Sequence, residues 1–388
     1  MVSRAFNFII DNSLLLIAGT VTALIWANVA PDSYHHFAEA LHFPVNDIGM
    51  VFFFALATKE VFEATLPKGA LASPRQSAVP LLAAVGGMVV PAGMFLLLVN
   101  VLQHPELARG WAVPCATDIA FSYMAARVVF RAGSPAIPFL LLLAIADDAL
   151  GLIILAVFYP SKAISFPNFV LFMIIAVALA WWIRRMKVTN YWPYILLAGG
   201  CSWLALFKGG FHPALALVPI IPFLPHRATD PGLFVEKEGH DTLTHFEHQW
   251  KVPVQIVLGL FGLVNAGVPL SSVGTGTWMV VASLVLGKPF GIAGFTWFAE
   301  RLGFRRAHGL AWSDVFVLGT LAGIGFTVAL FFATAAFVPG TLLDEVKMGA
   351  LFSFVAAPIG IAAGWLLRGR PAAAGHHVER ETHAKHHR

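Results

Sequence analysis

Long apolar stretches separated by short polar joints run through the whole chain. In order they fall at 12–30, 44–66, 78–101, 111–127, 135–159, 166–185, 191–207, 209–224, 252–270, 276–299, 314–338 and 347–367. Most approach the roughly 20 apolar residues that one helix needs to cross bilayer hydrocarbon. The pattern predicts an all-α polytopic membrane protein with twelve transmembrane helices. The first stretch is longer than the roughly 7–15 apolar residues of a leader peptide and more spans follow, so it reads as a retained helix. The seventh and eighth stretches are short and interrupted by Gly and Pro around 208–213.

Composition supports this reading. The chain is 58% hydrophobic and 12% charged, with a mean hydropathy of +0.76, whereas a soluble domain carries about 25% charged residues. The net charge of +4 comes from short joints, which excludes a nucleic-acid surface and points to topology signals. With the N-terminus placed in the cytoplasm, nineteen Lys and Arg lie on that side. Four, Arg109, Lys162, Lys208 and Lys347, lie on the other, and Lys59 and Lys288 fall within spans. That bias places both termini in the cytoplasm. Residues 1–370 then form one transmembrane domain. Residues 371–388, with His376, His377, His383, His386 and His387, read as a disordered cytoplasmic tail. Cys115 and Cys201 both sit in apolar stretches, with no disulfide framework and no metal-ligand spacing. Nothing in the sequence calls for a cofactor.

The chemistry lies in the few charges left inside the spans: Asp47, Lys59 and Glu60; Asp118; Asp147 and Asp148; and Lys288. A charged side chain at the bilayer centre costs about 2.5–3.5 kcal/mol by insertion scales, so such residues default to function. Asp147 and Asp148 are adjacent and repel, so one proton or one cation is required between them. Consecutive residues point about 100° apart on a helix, which permits a division of labour. Acids outnumber Lys288, and surplus negative charge suits a cation site.

Asp118 follows Pro114 and Thr117 in the fourth span, and Gly323 and Gly325 loosen the eleventh. Two interrupted spans in corresponding positions and opposite directions point to an inverted-repeat transporter with a midplane site. Half-helix ends there leave unpaired backbone dipoles. Asp118 suits the amide ends. Lys288, beside the helix-weakening Pro289, suits the carbonyl ends or serves as the counter-ion of Asp147. Lys59 and Glu60 read as a snorkelling pair at the cytoplasmic interface.

At this point 116–122 (ATDIAFS), 144–159 (AIADDALGLIILAVFY), 286–292 (LGKPFGI) and 323–327 (GIGFT) closely resemble the bacterial NhaA-type sodium/proton antiporters. The match extends to 70–92 and 265–268 and covers nearly everything from the second span to the eleventh. The resemblance implies twelve helices with inverted three-helix repeats, spans 3–5 and 10–12, and broken, crossing helices at spans 4 and 11. It places cation and proton binding on Asp147, Asp148, Asp118 and Thr117, with Na⁺ held by Asp147 and Asp148. It makes Lys288 the counter-ion or proton-linked lysine, and gives a funnel or pH-response role to Asp47, Glu60, His245 and His248. The implied activity is secondary active exchange of cytoplasmic Na⁺ or Li⁺ for external protons, two protons per sodium, in sodium extrusion and pH homeostasis. The implied location is the bacterial inner membrane. The implied partners are Na⁺, Li⁺, protons, the lipid bilayer and a second copy in a homodimer.

The sequence departs from the family pattern in three places, one being the internal loop before span 9, where His245, Glu247 and His248 align only with a shift. Ala64, with Glu63 beside it, stands where the family has a further glutamate. The segment 31–43 leaves little room for the family's dimer-supporting β-hairpin.

Two other classes fit less well. A sodium-coupled symporter of an organic solute would need polar side chains for the solute, and the spans offer few. An intramembrane aspartyl enzyme would draw its two acids from facing helices rather than from consecutive positions.

Overall fold

A computed structural model describes residues 13–131, 133–226 and 241–368. Arg4, residues 227–240 of the large internal loop and the histidine-bearing tail at 371–388 lie outside the described residues. Among those described, every regular element is helical. In order they are α1 (Leu14–Val29), α2 (Pro31–Phe43), α3 (Met50–Thr65), α4 (Pro74–Val101), α5 (Ile119–Val129), α6 (Ala136–Phe158), α7 (Phe166–Arg185) and α8 (Gly200–Gly209). The second half holds α9 (Thr242–Asn265), α10 (Thr275–Ala282), α11 (Lys288–Arg301), α12 (Trp312–Leu321), α13 (Phe326–Ala336), α14 (Thr341–Phe352) and α15 (Ala356–Arg368).

Local chemistry sets many of these boundaries. Proline occupies the first turn of α2, α4 and α7, where its missing N–H would be unpaired anyway. The Asp241 carboxylate accepts from the Thr244 amide at 2.7 Å and caps α9. Wide π-turns at Pro44–Gly49, Tyr194–Gly199 and Ser283–Gly287 lead into α3, α8 and α11. Pro44, Pro193 and Pro289 each remove a backbone donor at or beside one of these turns, which loosens the α-ladder there.

Among the described residues, six continuous helices are long and apolar enough to cross a bilayer: Pro31–Thr65, Ser77–Val101, Ala136–Phe158, Phe166–Arg185, Thr275–Arg301 and Thr341–Leu367. Trp312–Leu321 and Phe326–Ala336 form a further pair, bent by 51° at a short break. Leu14–Val29, Ile119–Val129 and Tyr194–Gly209 are shorter apolar helices. The expected span at 209–224 is not an α-helix. It folds as turns with 3₁₀ pieces at Pro213–Leu215 and Ile221–Phe223, because Pro213, Pro219 and Pro222 lack the donors an α-ladder needs. The 31–43 segment is helical, not a hairpin.

Packing is tightest where side chains vanish. α4 and α11 touch backbone to backbone: a Cβ on Gly86 would lie 2.3 Å from the Gly291 carbonyl oxygen, and one on Gly291 2.2 Å from that of Gly86. Such contacts replace the hydrophobic driving force that lipid cannot supply. α1 packs along α9, and α7 along α8. α7 turns Leu171, Ile174, Trp181 and Trp182 outward, as a lipid-facing helix does.

Polar pairs fix the end of α9. Asn46 and Asn265 exchange amide hydrogen bonds at 3.1 and 2.8 Å. The Tyr34 hydroxyl accepts from the Gly267 amide at 3.0 Å. Asn28 accepts from the Leu270 amide at 2.9 Å and donates to the Val268 carbonyl at 3.0 Å.

Two charges sit differently from expectation. Lys347, expected in an external joint, is only 9% exposed on α14. Lys59 does not snorkel beside Glu60. It is buried and bridges Glu63, one turn on at 2.8 Å, to Glu247 of α9. Adjacent residues on a helix face different directions, while i and i+4 share a face, so Glu63 captures the ammonium. Lys59→Met should therefore cost about 3 kcal/mol of stability, the penalty of leaving a buried partner unpaired. It would be read as a lower midpoint in a thermal melt of the detergent-solubilised protein. Adding Glu63→Gln should recover part of the loss, and an unchanged midpoint would contradict the bridge.

Candidate functional site

Two stretches of non-helical backbone meet in the middle of the fold. The first runs from a 3₁₀ segment, Pro105–Cys115, through extended residues 116–118 into α5. Pro114 denies that segment a donor just before the break. The second is the turn 322–325 between α12 and α13. They cross in direct contact: the Asp118 amide donates to the Ile324 carbonyl at 2.7 Å. Gly325 makes this approach possible, since a Cβ there would stand 2.7 Å from the Ala116 carbonyl oxygen.

Each orphaned helix end at the crossing has a partner. The Asp118 carboxylate accepts from the Thr327 amide at 3.2 Å and from the Thr327 hydroxyl. Asp118 is also the N-cap residue of α5, so its carboxylate lies beside the positive end of that helix, though it makes no capping hydrogen bond there. One carboxylate thus serves the positive ends of both α5 and α13. At the carbonyl end of α12, Ser122 Oγ donates to Leu321 at 2.8 Å, and Thr117 Oγ1 lies 3.1 Å from the Ala322 oxygen.

α6 brings the acid pair to this crossing. Asp147 is 2% exposed. Its Oδ2 accepts from Lys288 Nζ at 2.8 Å and from Thr117 Oγ1 at 2.6 Å. Lys288, fully buried, also donates to Thr117 Oγ1 at 2.5 Å. Thr117 therefore accepts from the ammonium while its single proton goes to Asp147, with Ala322 the alternative acceptor. Lys288 meets the acid, and reaches the α12 carbonyl end only through the Thr117 hydroxyl. Of the two readings of Lys288, this geometry fits the counter-ion of Asp147 rather than direct contact with the carbonyl ends: the carboxylate offers a full opposite charge, which outcompetes a half-charge helix end.

Asp147 Oδ1 has no hydrogen-bond partner. Asp147 and Asp148 together form the polar wall of a cavity of about 20 Å³, room for one or two water-sized guests. The rest of the lining is apolar, including Phe54, Phe331 and Phe332. Phe331 stacks edge-on with Phe54 at 5.0 Å and tilts against His212 at 4.7 Å, and Phe261 lies behind it at 6.1 Å.

The other sequence candidates sit apart. Asp47 lies in the π-turn that opens α3, where its backbone carbonyl accepts from Trp203 Nε1 at 3.0 Å. Glu60 is thirteen residues further, about 20 Å along a helix, within electrostatic reach of Asp148. His245 and His248 are on the first turns of α9. His245 Nε2 is 2.9 Å from the Gln249 amide nitrogen, and His248 adjoins the Glu247 that bridges to Lys59. So Thr117, Asp147 and Lys288 are joined directly, Asp118 adjoins them through the backbone, and Asp148 shares the cavity. Sequence reasoning missed Thr327 as the partner of Asp118 and Glu247 as a partner of Lys59. The i, i+4 spacing of Lys59 and Glu63 was the available signal for that bridge.

Comparison with known proteins bears on the whole chain. Residues 5–366 match the family described as Na⁺/H⁺ antiporter 1. A protein of Geotalea uraniireducens (strain Rf4), called Na(+)/H(+) antiporter NhaA, is 45% identical over 374 residues, covering 94% of this chain and 97% of the relative. One of the same name from Desulfitobacterium hafniense (strain DSM 10664 / DCB-2) is 46% identical, with 94% and 96% covered. Among solved structures, the sodium proton antiporter MjNhaP1 from Methanocaldococcus jannaschii aligns with a TM-score of 0.53 over 92% of this chain and 90% of that one. At 16% identity it speaks to the fold alone.

The geometry at the crossing ranks two substitutions. Thr327→Val removes one hydroxyl donor and should cost about 1 kcal/mol. Asp118→Ala strips the partner from two helix ends at once and should cost more. Thermal midpoints in detergent would give the order, and a reversed order would contradict the double role of Asp118.

Proposed function

Because this chain belongs to the Na⁺/H⁺ antiporter 1 family, and so to membrane transporters rather than enzymes, we propose that it exchanges cytoplasmic Na⁺ or Li⁺ for external protons at Asp147 and Asp148. The observation that carries this reading is the imbalance of charge at the cavity. Two carboxylates face it, one oxygen of Asp147 is unpartnered, and a single ammonium, Lys288, pairs with the other oxygen. Hard alkali cations take oxygen ligands, and carboxylate oxygens also take protons. Binding of one expels the other, which is the elementary requirement for antiport.

In this reading Asp148 is the principal cation ligand, assisted by Asp147. Lys288 holds Asp147 when no sodium is bound, and that pair exchanges a proton during the cycle. Thr117 orients both partners, and Asp118 keeps the crossing of broken spans 4 and 11 compensated. Two carboxylates release up to two protons per monovalent cation bound, so the cycle moves net charge and is driven by voltage. The bundle of inverted repeats, spans 3–5 and 10–12, rocks against the remainder to expose the site alternately. Both termini lie in the cytoplasm, the membrane is the bacterial inner membrane, and the physiological roles are sodium extrusion and pH homeostasis. Glu60, beside Asp148 electrostatically, belongs to the cytoplasmic approach. Asp47, His245 and His248 act at a distance from the exchange itself, as funnel or pH-response residues. The small cavity speaks against symport of an organic solute, for which it has no room.

Everted membrane vesicles test the proposal. Adding Na⁺ to vesicles with an acidified lumen should release protons without any organic solute. Asp148→Asn should abolish the response and Asp147→Asn should impair it. Full activity in Asp148→Asn would refute the ligand assignment. The rate should climb between about pH 6 and 8.5, as protons stop competing for the carboxylates; a flat profile would count against competition at one site.

A further inference from the structure

Gly151 occupies a singular place on α6. It lies three residues after Asp148 and four after Asp147, and at about 100° per residue its direction falls between those of the two acids. Helical Cβ atoms tilt toward the N-terminus, so a side chain at 151 would hang over the turn that carries both carboxylates. There is none, and a Cβ built there would meet no atom within 4 Å although the residue itself is buried. The open space belongs to the cavity that Asp147, Asp148 and Gly151 line together. In a helix interior glycine costs about 1 kcal/mol relative to alanine, and neither a positive φ nor a close neighbour requires it here.

Apart from the backbone at Ala116, the rest of the lining is apolar and offers little to complete a cation's shell. Phe53, Phe54, Ala57, Leu152 and Leu155 present only hydrocarbon. A sodium ion held by the two carboxylates needs further oxygens, and the cavity volume admits one or two waters. We infer that Gly151 is a specificity-determining residue: its missing side chain holds open the position of a water ligand that completes the coordination of Na⁺ between Asp147 and Asp148. Lithium is smaller, takes fewer oxygens and depends less on that water. The inference rests on the exchange proposed above and adds to it the reason for a gap beside the acids.

Gly151→Ala and Gly151→Ser, purified and reconstituted in liposomes, separate space from chemistry. Both should melt at or above the temperature of the original protein, since each favours a helix more than glycine does. In Gly151→Ala the apparent KM for Na⁺ should rise about tenfold, the scale of one misplaced methyl group in a fitted pocket, and that for Li⁺ should rise less. Gly151→Ser fills the same space but returns an oxygen, so its KM for Na⁺ should stay closer to the original. Equal changes for both cations in Gly151→Ala, or equal KM values for Na⁺ in the alanine and serine variants, would overturn the inference. If Asp148→Asn still abolishes exchange in that case, the exchange reading survives without it. No sodium-dependent proton release from the original protein would sink both.

Discussion

One ammonium serves a dense group of acceptors at the centre of this fold. Lys288 Nζ reaches Asp147 Oδ2 and Thr117 Oγ1, and Thr117 in turn reaches Asp147. This triangle joins three segments that are far apart in sequence: the extended break after Cys115, the middle of α6 and the start of α11. A charge buried in hydrocarbon is tolerable only when paired and hydrogen-bonded. The triangle therefore constrains where these segments can sit as well as what they can bind. It leaves Asp148 and one oxygen of Asp147 uncommitted, and the proposed exchange depends on that remainder.

The surrounding fold keeps the triangle assembled in a solvent that cannot supply hydrogen bonds. Broken helices inside a membrane survive only where protein groups replace water at their ends. Asp118 does this by hydrogen bond for the amide end of α13 and by its charge for that of α5, and Ser122 and Thr117 do it for the carbonyl end of α12. Glycines then let the backbones close around the crossing, at Gly325 against Ala116 and at Gly86 against Gly291. Further out, Lys59 bridges α3 to α9, and the Asn46–Asn265 pair joins the opposite end of α9 to the turn that carries Asp47. The span that contributes Phe53, Phe54 and Ala57 to the cavity is tied to α9 at both ends.

Much of the site was legible in the sequence because charge inside an apolar run has few explanations. Asp147, Asp148, Asp118 and Lys288 stood out on that ground, and Pro114, Gly323 and Gly325 marked the two breaks. What stayed hidden was partnership. Periodicity gives the face of a helix but not the residue across from it, so Lys59 was read with its neighbour Glu60 instead of with Glu63 and Glu247. Thr327 looked like part of a glycine motif until the crossing placed it on Asp118. Hydropathy also measures apolarity and not ladder formation, so 209–224 read as a span although its three prolines fold it into turns and 3₁₀ pieces.

The aromatic packing beyond the acids has an electrical consequence. Phe54, Phe261, Phe331 and Phe332 are almost wholly shielded from solvent, and their rings offer no dipoles that reorient in response to a field. Material of such low polarisability screens charge poorly, so electrostatic interactions across it are stronger than in water. Phe54, Phe331 and Phe332 line the same cavity as Asp147 and Asp148, so the two carboxylates are less screened there than they would be in water.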